Sequence, residues 1–412
     1  MTMQLRAGFM LMAALAMFGM AGCDHYNCNN APQLSGSCTT SGSGLGTTGT
    51  GTGSGTASAF AFAVDEAGTI DGYTLNASTN TFQATTGYTA PAVPTNELGY
   101  GMVVAQTQFL YTAFIGTGQI YGWTIGSGGG LTAISNSPFS APYLIGIGSN
   151  QGPEDMIVNP AGTLLFVDDV SVEGIYVYSI GSGGVLTAVS GSPFSVPFFP
   201  GNMAIDGQGK YLYVTTNTNG SQIAAYSIGT GALTPVLGSP FSYPMLQVEG
   251  EPTGTYLIGT TSSNVGDDHL YLFSITQSGS NAGAITQVQA VPTVYSPYSI
   301  AVQPNSGGNL IYSFSTNADD TGFNPIEGYQ LSNGALTAVS GSPFSNVADG
   351  SWAQFDQSGA FLFPYSEVYD SSTGATTVQL GADDVASGGA LTQPISPATL
   401  TTPGFWAVTD VP

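Results

Sequence analysis

An all-β fold, a closed ring of seven blades with four antiparallel strands each, is what this sequence predicts. Three observations carry that prediction. After residue 58 one pattern recurs seven times, with Phe60, Phe109, Leu164, Tyr211, Tyr256, Leu310 and Phe361 in matching places at intervals of 49, 55, 47, 45, 54 and 51 residues. Each unit holds several short apolar segments separated by Gly, Pro, Asn and Ser turns, and a period near 40–50 of this kind marks a β-propeller. No stretch longer than about ten residues combines helical periodicity with caps.

In chain order, residues 1–22 read as a secretory signal. Arg6 supplies the positive start, and residues 7–20 form an apolar run shorter than the roughly 20 residues that a membrane-spanning helix needs. Met20-Ala21-Gly22-Cys23 resembles a bacterial lipobox, with Met where Leu is more usual. That resemblance implies removal of the signal, acylation of Cys23, and anchoring of an exported protein to a membrane, at the periplasm or cell surface. An ordinary signal peptide followed by a chance cysteine is the alternative. Cys28 and Cys38 would close a small loop as a disulfide in an oxidising compartment, or remain two thiols. The remainder of 23–58 is rich in Gly, Ser and Thr and reads as a flexible tether spanning on the order of 30 Å. Its G-x-G patterns lack a preceding strand and a following helix, so they carry no phosphate-binding meaning.

From 59 to 412 the repeats take over. In the third unit the four strands are expected at about 156–159, 164–168, 175–180 and 186–189. Asn159-Pro160-Ala161-Gly162 turns between the first two strands, and Gly181-Ser182-Gly183-Gly184 between the last two. The third strand, Ile175-Tyr176-Val177-Tyr178-Ser179-Ile180, is apolar at both parities. A strand covered on both faces reads that way, and neighbouring blades would provide the cover. The repeated Ser-Pro-Phe segments at 137–139, 192–194, 239–241 and 342–344 are expected to pack between blades. The first unit begins at a second strand, and 404–410 matches the innermost strand of the others. The end of the chain should therefore complete the first blade and remove its open edges.

Charge narrows the function. Asp and Glu number 25 against 2 Lys plus Arg, a formal net charge of −23, and charged residues make up only 7% of the chain. Nucleic-acid binding needs many cations to neutralise phosphates, so no nucleic-acid partner is expected. A Lys-poor, carboxylate-rich protein loses most of its charge on acidification, which suits an acidic habitat.

The order apolar strand, Pro-x-Gly turn, Tyr-Val strand, Tyr-Ser-Ile strand, Gly turn, Leu-Thr strand and Ser-Pro-Phe resembles the lactonase family of seven-bladed propellers, named for 6-phosphogluconolactonase. The likeness covers nearly all of 59–412 and implies that fold. Active members carry a histidine after a proline, a Pro-Asp-Gly turn, a later Asp-Leu-Gly, and in the next unit Pro-Arg-His and Asn-Glu. This chain has Pro153-Glu154-Asp155-Met156, Pro160-Ala161-Gly162, Asp168-Asp169-Val170, Pro200-Gly201-Asn202 and Thr216-Asn217 in those places. Asp168 is kept, whereas the arginine, both histidines and the glutamate are missing. A phosphorylated lactone needs cationic or helix-terminal partners, and past the signal only Lys210 is cationic.

Weak candidates for catalysis are Glu154, Asp168 and His269, the last beside Asp267 and Asp268, since lactone hydrolysis needs a positioned base. Sixteen of the 25 acids, Glu249 among them, fall in loops expected on one face. Glu154, Asp155, Asp168 and Asp169 would converge there as a Ca²⁺ site, although no D-x-D-x-D-G loop is present, and solvation of a Lys-poor surface explains the same acids. The function expected is that of a monomeric binding or interaction module for a protein, glycan or uncharged small molecule. The alternative is a hydrolase of an uncharged lactone or sugar lactone that uses funnel carboxylates, with or without Ca²⁺.

Overall fold

The computed structural model describes residues 58–65, 68–78, 81–93, 99–114, 118–140, 155–169, 173–216, 222–261, 268–304, 309–315, 325–344, 347, 351–370, 375–392, 398–400 and 404–412. Signal, lipobox, Cys23, Cys28, Cys38, tether and Glu154 lie outside them. The described strands form seven antiparallel sheets. Blade 1 runs Thr81–Ala84, Ile70–Asn76, Ala59–Asp65 and then Gly404–Asp410 as its innermost strand. Seven successive residue pairs, from Ala59 with Asp410 to Asp65 with Gly404, close the ring. Closure leaves blade 1 without an unpaired inner edge.

The innermost strands of blades 2 to 7 are Gly99–Ala105, Met156–Val158, Pro200–Ile205, Gln247–Gly250, Pro297–Val302 and Trp352–Phe355. The second strands begin at Phe109, Leu164, Tyr211, Tyr256, Leu310 and Phe361, where the repeat places them. In blade 3 the third and fourth strands are Gly174–Ile180 and Leu186–Ala188.

Seven clusters of buried apolar residues, among the described ones, lie one between each pair of neighbouring blades. Blade 3 explains the double-sided pattern of its strands. Leu165 and Val167 pack on blade 2, while Leu164 and Phe166 pack on blade 4. Adjacent strand residues point to opposite faces, so one strand feeds two interfaces. Each fully buried aromatic or aliphatic side chain of this kind contributes about 1.5–3 kcal/mol.

The Ser-Pro-Phe segments are corners that split the outer strand. In blade 3, Leu186–Ala188 pairs with one half of Gly174–Ile180 and Phe194–Ser195 with the other. Between them the ladder would lapse, and the Ser192 hydroxyl accepts the Val177 N–H at 2.9 Å. Ser137, Ser239 and Ser342 accept from Gly122, Ala225 and Gly328 in the same way. The Ser-Pro bonds of these four segments are cis, and their phenylalanines join the inter-blade clusters.

Blade 7 follows the same plan with a different sequence. Its third strand is interrupted, so that Phe361–Asp370 pairs first with Asp383–Val385 and then with Ala375–Leu380. This interruption sets the sequence of the seventh unit apart from the others after Phe361.

Candidate functional site

The seven innermost strands surround a central channel of about 740 Å³. Register with the second strands assigns each wall residue to a level. At one level stand Val103, Ile157, Ala204, Glu249, Ala301, Gln354 and Ala407, opposite Tyr111, Phe166, Tyr213, Ile258, Tyr312, Phe363 and Phe62. One residue earlier in each strand come Met102, Met156, Met203, Val248, Ile300, Ala353 and Trp406. One residue later come Val104, Val158, Ile205, Gly250, Val302, Phe355 and Val408. Across these three rings Glu249 is the one ionisable side chain. It is half-buried, and the Gln247 amide donates to its Oε1 at 3.3 Å. Gly250 lets blades 4 and 5 approach here, since a Cβ on it would meet the Ile205 carbonyl oxygen at 2.2 Å.

Above these rings an arc of polar side chains ties blades 3 to 7 in series, each to the next. Asp155 Oδ2 accepts the Met203 N–H at 2.8 Å, Asn202 Oδ1 the Val248 N–H at 2.9 Å, and Gln247 Oε1 the Ile300 N–H at 2.9 Å. The Ser299 hydroxyl then donates to the Ser351 carbonyl at 2.6 Å. Trp352 takes the matching place in blade 7, half-buried and on the channel wall. Its ring meets Tyr298 edge-on at 5.3 Å, Tyr365 follows at 6.1 Å, and Tyr365 stacks on Trp406 at 4.5 Å.

The residues singled out in the sequence fall in different places. Asp155 and Asp168 come together: Asp168 Oδ1 accepts the Asp155 N–H at 2.7 Å. Asp169 is equally buried but points to the opposite face of its strand, toward blade 2. Among the described residues no three His, Cys, Asp or Glu side chains gather as a metal set. One oxygen each of Asp155 and Asp168 accepts a backbone N–H, which gives those carboxylates a structural task. His269 opens the third strand of blade 5, His269–Ile275, opposite Pro292, and is not part of the channel wall.

At the other end of the channel the acids cap turns. Asp206 Oδ1 accepts the N–H groups of Lys210 and Tyr211, both at 2.6 Å. Glu251 Oε1 accepts those of Thr255 and Tyr256 at 2.6 and 3.0 Å. Asp356 Oδ1 accepts the Phe361 N–H at 2.8 Å. Burial nevertheless pushes the Asp206 carboxyl above its ordinary range. Asp356 is pushed up to about 6, first by burial and further by the neighbouring Asp410 carboxylate.

Sequence reading counted Glu249 among loop acids; it belongs to the innermost strand Gln247–Gly250 instead. Asn202, Gln247, Gln354 and Trp352 went unnoticed as wall residues. A signal for three ring members was present, because a polar residue precedes the apolar one at Asp155-Met156, Asn202-Met203 and Gln247-Val248.

This blade order and ring closure recur in solved structures. A Bacteroides uniformis protein provisionally named a 6-phosphogluconolactonase superposes with a TM-score of 0.62 at 14% identity, covering 85% of this chain and 99% of that one. The Pseudomonas aeruginosa periplasmic gluconolactonase PpgL gives 0.56 at 12% identity, covering 86% and 100%. The fold is that of the lactonase-type propellers. A Lactobacillus plantarum protein shares it too, with a TM-score of 0.59 at 14% identity over 86% and 100%. No family model and no curated relative matches the chain. In this lactonase-type propeller the Pro-Arg-His place holds Asn202, whose side chain serves the inter-blade ring.

Proposed function

We propose that this lactonase-type propeller is a binding module that takes an organic small molecule into its central channel. The observation that carries the reading is the wall itself: among the described residues it holds no Lys, Arg or His. An anionic or phosphorylated guest would meet no counter-charge there. A proton-transfer pair is not assembled either, since Asp155 and Asn202 hold backbone N–H groups of the next blade.

The module is exported and held to a membrane through Cys23. Support comes from the leader and lipobox-like segment, and the shared fold of a periplasmic gluconolactonase is compatible with it. Incorporation of labelled palmitate that disappears in Cys23→Ser is the expected result.

The rival reading, a hydrolase of an uncharged lactone, would use Glu249 as its base. Incubating the full chain with glucono-1,5-lactone and γ-butyrolactone, with and without Ca²⁺, separates the two. No turnover above background is expected. Turnover that is lost in Glu249→Gln would replace the binding reading by the enzymatic one.

A further inference from the structure

We infer that the outer edge of blade 5 pairs with the same edge of a second copy of this chain, the two strands meeting antiparallel about a two-fold axis near Ala290. The sequence leads to the expectation of a monomer; the strand order, charge and exposure of this edge argue for a pair.

Outermost strands of other blades are short, as in Thr81–Ala84, Leu131–Ala133, Leu233–Pro235 and Ala335–Ala338. In blade 5 the strand Ile285–Pro292 runs eight residues without a Ser-Pro-Phe corner. A bulge at Val288, opposite Leu272 and Phe273, takes the place of the corner. The Thr276 N–H bonds the Ala284 carbonyl, and the Thr293 N–H the Asp268 carbonyl. Antiparallel alternation from those two ends turns the N–H and C=O of Gln287 and Ala290 to the open side. The Tyr243 hydroxyl accepts the Gln287 N–H at 3.5 Å, which leaves the exposed Ala290 as the centre of the free edge. Such outward groups are a template for another strand.

Edges are commonly guarded by lysine or another charge. Here residues 269–318 contain no Asp, Glu, Lys or Arg, in a chain of formal charge −23. Of the five large apolar side chains left exposed among the described residues, Val288, Val294 and Tyr295 lie on this strand or directly after it. The last two are held in place rather than frayed. The buried Glu327 carboxylate accepts both their N–H groups at 3.0 Å and the Tyr329 hydroxyl at 2.7 Å.

Copies that each carry −23 repel one another wherever their acids meet. The uncharged edge of blade 5 is a place where two can approach with little repulsion. A two-fold contact is self-complementary. It sets the Ala290 residues opposite one another, so that each N–H meets the other's carbonyl, and it draws both Val288 side chains into the contact.

The test is sedimentation of the detergent-solubilised full chain, with hydrogen exchange read at the Ala290 amide. A dimer should form reversibly, and its share should rise with salt, because screening relieves the repulsion between like-charged copies. The Ala290 amide should be protected at high protein concentration and exchange freely on dilution. Ala290→Pro removes an N–H that the blade's own ladder does not use, so the thermal melt should be kept. Dimerisation should weaken about tenfold through the two lost hydrogen bonds. Val288→Lys, at an exposed position, should weaken it too by placing charge in the contact. A dimer that survives both substitutions, or that salt dissociates, overturns the assignment. A monomer at every concentration overturns it as well: free exchange at Ala290 would then leave the edge to a strand of another protein, and protection independent of dilution would mean that a segment of this chain covers it.

Discussion

Four serines perform the task of a backbone carbonyl, and the cost of losing one can be stated. In Ser192→Ala the N–H of Val177, a residue with no exposed surface, loses its acceptor. A buried donor left unsatisfied costs about 1–3 kcal/mol. Chemical denaturation should show that loss with an unchanged slope, and Ser192→Thr should restore most of it. Ser137, Ser239 and Ser342 sit in separate blades, so combined substitutions should add almost independently. Sequence reading assigned the Ser-Pro-Phe repeats to packing, which the phenylalanines bear out. The part played by the serine hydroxyl was hidden, because it depends on where the corner places that oxygen against the third strand.

At the scale of elements, the seam where Gly404–Asp410 closes the ring should respond to pH. Asp410 of that strand accepts the Ser358 N–H from blade 7 at 3.3 Å and lies beside Asp356. The folded-state pKa of Asp356, about 6, is above the ordinary value near 3.9, so folding favours its protonated form. The stabilisation is full below about pH 4 and is lost as pH rises through about 6. Asp206 and Asp384 are raised too, both first by burial, and act in the same direction. The protein should therefore be more stable at pH 5 than at pH 7.5, with Asp356 contributing on the order of 1 kcal/mol to that difference. Asp356→Asn should flatten that part of the profile in a series of thermal melts. Composition alone suggests an acidic habitat; which carboxylates would make stability rise toward acid was not legible, since burial of Asp356 beside Asp410 exists only once the ring is closed.

For the whole molecule, charge composition becomes a matter of exposure. Past the signal, Lys210 is the one tryptic site, and it is exposed in the turn between the first two strands of blade 4. The bond after it is nonetheless protected. The N–H groups of Lys210 and Tyr211 both bind Asp206, and Tyr211 begins a paired strand. Trypsin should leave the folded propeller intact and cut it once after unfolding, into two fragments readable on a gel. In Asp206→Ala the folded protein should become cleavable at that bond.

The architecture was legible residue by residue along the chain: seven units, four strands in each, double-sided burial, and a final strand that completes the first blade. These are periodic properties, and period is a local feature of sequence. It also argued against a nucleic-acid partner, because a net charge of −23 needs no fold to be counted. The tasks of individual carboxylates among the described residues emerged only in the folded ring. Asp155, Asp168, Asp206, Glu251 and Asp356 proved to be acceptors for backbone N–H groups, a role set by neighbours up to 48 residues away. Glu249 stood out only when register aligned it with six neutral residues from six other blades. A ring position is defined by strands brought around an axis, so no window of sequence contains it.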